Sequence, residues 1–116
     1  MIVAVQGSRS FDEYTIFLRA MGTALSMMEK DDDVFIIYAA GPVKINSMAT
    51  EFVNVSERSL KARGIRARVK RVPASWLKDN MEDLNYFAYF SKPKEAVSEL
   101  VDYAETINAE VGVYRY

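Results

Sequence analysis

Ile2-Val3-Ala4-Val5-Gln6-Gly7-Ser8-Arg9-Ser10-Phe11 is the stretch that decides the fold. Its opening residues, Ile2 to Val5, are all apolar and leave no polar face. A strand of that kind is buried on both sides, as in a parallel sheet covered by helices. Gly7-Ser8-Arg9-Ser10 follows directly. This loop supplies a glycine for a tight turn, two hydroxyls and one guanidinium. Asp12 is then placed to cap a helix. Strand, small polar loop and helix N-terminus together present backbone N–H groups to an anion. Ligands of open α/β sheets lie at the carboxyl ends of the strands.

Beyond Asp12, the residues Tyr14, Phe17, Leu18, Met21, Leu25 and Met28 recur at helical spacing. The spacing predicts a helix that turns near Lys30, with Gly22 allowing close packing on the sheet. Asp31-Asp32-Asp33 reads as a solvated loop, because acids are unfavourable at a helix C-terminus. Val34-Phe35-Ile36-Ile37-Tyr38 is a second all-apolar strand, and Ala39 to Lys44 is its loop. Asn46 or Ser47 caps the next helix, which runs to about Arg63. Met48, Phe52, Val55 and Leu60 form its expected inner face, and Gly64 suits the position after its end. Strand, loop and helix therefore occur twice, each time with a loop suited to phosphate.

Ile65 to Val72 is a strand of another kind. Arg66, Arg68 and Lys70 alternate with Ile65, Ala67 and Val69, so one face is charged. That pattern marks an edge strand, which Pro73 ends. Pro73 to Asn80 is a connection with room for a helical turn. Leu84 to Phe90 is an aromatic strand, and Ser91-Lys92-Pro93-Lys94 is the loop after it. Pro93 suits the first position of a helix. Glu95 to Ile107 reads as that helix, with Val97, Leu100, Val101 and Ala104 inward. Val111 to Tyr114 is a last short strand. The order argues for an α/β domain: a doubly wound, mostly parallel, five-stranded Rossmann-like sheet of order 3-2-1-4-5, with the third strand at an edge. The switch point then falls between the first and fourth strands, flanked by Gly7–Ser10 and Ser91–Glu95, with Ala39–Lys44 beside them.

The 116 residues suit one domain spanning 1–116. The chain has no cysteine and no histidine. Thiol nucleophiles, thiolate or imidazole metal sites and histidine acid–base chemistry are thereby excluded. A net charge of −1 gives no overall bias toward nucleic acid. No apolar run reaches the ~18 residues of a membrane span, and no signal-type segment opens the chain. A cytoplasmic protein is the expectation.

Gly7-Ser8-Arg9-Ser10-Phe11 after a buried strand matches the GSR-x-F motif of the SLOG superfamily. That Rossmann-like group includes the LOG cytokinin-activating hydrolases, the DprA core and small YspA-type proteins. Gly41 followed by Asn46-Ser47-Met48-Ala49 resembles its second motif, and Ser91 to Leu100 falls where LOG proteins carry PGG-x-GT-x-x-EL. The resemblance implies a nucleotide or nucleotide-derived ligand; no further cofactor and no metal are expected. Two departures weigh on catalysis. The second loop has Gly41 alone, and Pro42 removes an N–H. The third loop keeps Glu99-Leu100 but has no glycine. A sensor or sequestering module fits better than a hydrolase.

The candidate ligand-binding residues are therefore Gly7, Ser8, Arg9, Ser10, Gly41, Lys44, Ser91 and Lys92, with Glu99 as the candidate acid–base group. The plain alternative is a turn with a helix cap, Arg9 paired to a surface acid, and Lys44, Lys92 and Lys94 solvated. A nucleotide N-glycosidase dependent on Arg9 and Glu99 is a second alternative. A third is a ligand-free interaction module, of the kind found among phage or bacterial accessory proteins. From Arg58 to Arg71 the chain holds seven basic residues and no acid. Arg66, Arg68 and Lys70 there suit a protein partner, and less well a nucleic acid, since no aromatic interleaves them. A homo-oligomer is also compatible with this type of domain.

Overall fold

The computed structural model describes residues 1–92 and 98–116. In chain order it shows β1 (Ile2–Gly7), α1 (Tyr14–Ser26), β2 (Val34–Ala40), α2 (Val43–Ala62), β3 (Arg66–Val72), α3 (Ala74–Asp79), β4 (Tyr86–Ser91), α4 (Glu99–Thr106) and β5 (Glu110–Arg115). The five strands form one sheet of order β3-β2-β1-β4-β5. Every pairing in it is parallel, and β3 is an edge. The doubly wound α/β topology is the expected one.

The strand order follows from where the apolar residues must go. Val3 and Val5 of β1 point to one face, into a core with Phe17, Met21, Ile45 and Phe52 of α1 and α2. Ala4 points to the other face, among Leu77, Leu100 and Val101 of α3 and α4. A strand sandwiched between two helical layers reads as a nearly continuous apolar run. β4 is buried along its whole length for the same reason. Among the described residues, no helix is long and apolar enough to cross a membrane.

Several boundaries move from their expected places. Asp12 does not cap α1: Glu13 is the N-cap residue, and no side chain bonds there. The helix ends at Ser26, whose hydroxyl turns back to the Thr23 carbonyl at 2.6 Å. Asp32 then ties the following loop, accepting from the Glu29 N–H at 3.0 Å while its own N–H donates to the Glu29 carbonyl at 3.1 Å. The acidic run is thus a loop; among the described residues no acidic cluster suited to a metal forms. The buried stripe of α1 is Phe17, Ala20, Met21 and Ala24, leaving Leu18 40% exposed. Gly22 faces open space and packs against nothing.

Ala39 and Ala40 belong to β2 rather than to its loop, because Ala40 is paired on both sides, with Gln6 and Val72. α2 begins at Val43, ahead of Asn46 and Ser47. Pro42 sets this early start. Its φ of −61° leads into the first turn, and its carbonyl accepts from the Ile45 N–H at 3.2 Å. Val55 is 72% exposed, and Ile45 and Ala49 take inner-face positions beside Met48, Phe52 and Leu60. Ser98 caps α4 by accepting from the Leu100 N–H at 3.2 Å. Leu100, Val101 and Ala104 are buried as expected. The expectations placed on Pro93, Lys94, Glu95 and Val97 lie outside the described residues.

Candidate functional site

The loop after β1 is shaped by close contact with β4. A Cβ on Gly7 would lie 2.9 Å from the Phe90 carbonyl oxygen and 3.0 Å from the Phe90 Cβ. Glycine is therefore used here for close approach to the neighbouring strand. Ser8 N–H donates to the Phe90 carbonyl at 3.3 Å, and Phe11 N–H donates to the Ser8 carbonyl at 3.1 Å. That turn folds the Phe11 ring onto Phe90, with centroids 4.3 Å apart. Tyr116 covers Phe11 at 4.9 Å. Its hydroxyl hydrogen-bonds Ser8 Oγ and lies 3.0 Å from Ser10 Oγ. Ser8 and Ser10 also meet each other at 3.2 Å. Aromatic rings of the chain thus pack at the ends of β1 and β4, and the hydroxyls of Ser8 and Ser10 are engaged by Tyr116.

Arg9 and Ser10 are the exposed members of this loop, and Arg9 lines a cleft of about 600 Å³. Gly41, Pro42, Val43, Lys44 and Arg71 complete the lining. The cleft sits at the carboxyl ends of β1, β2 and β3. Gly41 makes the turn from β2 into α2 with a φ of +93°, a conformation that disfavours side chains. Pro42 then starts α2, so Lys44 stands in the first helical turn rather than in a loop. Among the described residues no side chain caps this helix N-terminus, and no acid lies in its first turn. The helix dipole therefore adds a partial positive charge, about half a unit, to three cationic side chains. Lys44 Nζ lies 3.5 Å from Asp12 Oδ2, with both side chains more than half exposed. A second cavity of about 360 Å³ shares Gly41 and Arg71 and continues over Val72 and Pro73.

Three of the candidate binding residues, Arg9, Gly41 and Lys44, meet in this cleft. Arg71 joins them without having been singled out beforehand. Its signal was the strand period. Arg66, Arg68 and Lys70 share one face, so Arg71 falls on the other, with Ala67 and Val69, toward α2. Ser91 is placed elsewhere. It is fully buried at the end of β4, donates to the Lys92 carbonyl at 3.0 Å and accepts from Arg115 Nη1 at 2.8 Å. Arg115 also reaches the Lys92 carbonyl at 3.0 Å. Lys92 itself is exposed beyond that clamp. Glu99 begins α4, which packs on the face opposite α2, and its carboxylate lies 3.9 Å from Lys78 Nζ. Among the described residues no carboxylate belongs to the lining of the Arg9 cleft, and Asp12 stands beside it as the partner of Lys44. Comparison with family models, curated proteins and solved structures finds no match for this chain.

Proposed function

We propose that this domain binds a nucleotide or nucleotide derivative through its phosphate groups, in the cleft of Arg9, Lys44 and Arg71, as a sensor or sequestering module. The observation that carries this reading is the convergence of three cations on an uncapped helix N-terminus at the carboxyl ends of parallel strands. Backbone N–H groups and guanidinium forks are the donors that phosphate oxygens take best. The resemblance of Gly7-Ser8-Arg9-Ser10-Phe11 to the SLOG motif points to the same ligand class. Among the described residues the lining offers donors and cations and no carboxylate, which supports binding rather than turnover.

The test is thermal shift with AMP, ADP, ADP-ribose and pyrophosphate. A ligand present at about one hundred times its Kd adds ~2.7 kcal/mol of stability. In a domain of this size that raises Tm on the order of 10 °C. The rise is expected to disappear in Arg9→Ala. A flat response to every probe, or a rise that survives Arg9→Ala, overturns the proposal.

A further inference from the structure

β3 ends the sheet, and its two sides differ in what they offer. Arg66 N–H donates to the Asp33 carbonyl at 2.8 Å, and Arg66 sits opposite Val34 of β2. In a parallel ladder, a residue bonded to one neighbour turns both of its main-chain groups that way, and the next residue turns both away. Arg66, Arg68, Lys70 and Val72 therefore bond inward to β2. Ala67, Val69 and Arg71 direct their N–H and C=O groups outward. Side chains follow the same period. Ala67 and Val69 pack toward α2, whereas Arg66, Arg68 and Lys70 stand exposed on the opposite face.

A groove runs along this edge. Two cavities, about 160 Å³ and 400 Å³, lie between α2 and β3 and share Val53, Asn54 and Ala67. The larger also takes in Thr50 and Val69. Glu57 stands in the wall of the smaller one, paired with Lys61 at 3.0 Å. The groove thus sets the small apolar Val53, Ala67 and Val69 beside Thr50 and Asn54, and Arg66, Arg68 and Lys70 border it along the strand. Like charges facing each other across a ladder destabilise it, so this edge repels a basic strand and accepts an acidic one.

We propose that the outer edge of β3 takes an extended acidic peptide as an added strand. Its acidic side chains lie beside Arg66, Arg68 and Lys70, and its alternate small apolar side chains lie over Val53, Ala67 and Val69. Main-chain bonds to Ala67, Val69 and Arg71 supply affinity, and the alternation supplies specificity.

The experiment is amide hydrogen exchange by NMR on the full chain, with a short peptide of alternating glutamate and valine. Strand addition slows exchange of the outward Ala67, Val69 and Arg71 amides about tenfold or more and leaves the inward Arg66, Arg68 and Lys70 amides unchanged. Arg68→Glu removes the effect. Absence of protection overturns the proposal. So does equal protection by a peptide of the same composition with its glutamates contiguous, which makes the effect charge alone. Protection of the same amides by a single-stranded RNA, with none from the peptide, overturns it in favour of a nucleic-acid surface.

Discussion

Phe11 stacks on Phe90 with ring centroids 4.3 Å apart and planes inclined by 12°, and this pair closes the sheet at its switch point. Both rings are fully buried. Phe17 and Tyr114 extend the stack from Phe90 at 5.8 Å and 5.4 Å. The cleft lined by Arg9 lies to one side of this stack. Among the described residues these rings pack at the ends of β1 and β4, while Arg9 lies on the α2 side, beside Gly41, Lys44 and Arg71.

Phe11→Ala is expected to cost about 3–5 kcal/mol, the range for emptying a buried phenylalanine position, with part of it coming from the lost aromatic stack. Urea denaturation measures this loss. Phe11→Leu restores most of the volume and is expected to lose less than half as much. If both variants cost under 1 kcal/mol, roughly the scale of a single surface contact, the stack does not organise the loop.

Arg9 and Arg71 reach the cleft from opposite sides of the Gly41–Lys44 turn. Each is expected to donate to a bound phosphate. Removing a hydrogen bond to a charged group costs about 1.5–3 kcal/mol, so Arg9→Ala and Arg71→Ala should each weaken pyrophosphate binding by roughly 10- to 100-fold. Calorimetric titration reads the Kd directly. Raising salt should weaken the wild type more than either variant, since exposed charges are screened. An unchanged Kd in Arg71→Ala would leave that residue as a wall of the cleft only.

The topology was legible because β1 and β2 carry apolar runs with no polar face and β3 alternates charge with small apolar residues. Those patterns distinguish interior from edge without any tertiary information. The helix starts were less legible. Asp12, Asn46 and Ser47 are good capping types, yet Glu13 and Pro42 hold the N-cap positions. The β2 ladder runs on to Ala40 and forces the turn into Gly41-Pro42, and a cap preference near 1 kcal/mol does not override paired strands. The role of Ser8 and Ser10 was hidden for a different reason. Their partner, Tyr116, lies 108 and 106 residues away, beyond the reach of any local pattern.

Tyr86 and Tyr114 share a hydroxyl–hydroxyl hydrogen bond of 2.5 Å, and burial is the main cause that pushes the Tyr86 hydroxyl pKa well above its usual value. The bond to Tyr114 and the nearby Glu110 charge push the same way. The folded state thus holds the proton more tightly than the unfolded chain. Its stabilisation is complete below the unfolded pKa, about 10, and is lost as pH rises above that value. Tyr86→Phe is expected to lose about 0.5–1.5 kcal/mol near neutrality, with its hydrogen bond, and to show a shallower alkaline decline than wild type. Urea midpoints between neutral pH and pH about 11 test this. Parallel alkaline slopes in the two proteins would remove Tyr86 as the cause.

Asp12 separates two readings of the first loop in a single variant. As a helix cap, its loss would cost about 1 kcal/mol of stability and leave the cleft untouched. In the structure it makes no cap, and its carboxylate lies 3.5 Å from Lys44 Nζ at the mouth of the cleft. It therefore competes with an incoming phosphate for the same ammonium. Exposed ion pairs of this kind are worth ~0.2–1 kcal/mol, which corresponds to a factor of about two to five in affinity. Asp12→Ala is expected to keep its Tm within the error of the wild type and to bind pyrophosphate about two- to five-fold more tightly. Lys44→Ala in the Asp12→Ala background should cancel that gain, because the carboxylate acts only through the ammonium it holds. A fall in Tm with unchanged affinity would return Asp12 to the capping role, and the anion cleft would then rest on Arg9, Arg71 and the α2 N-terminus.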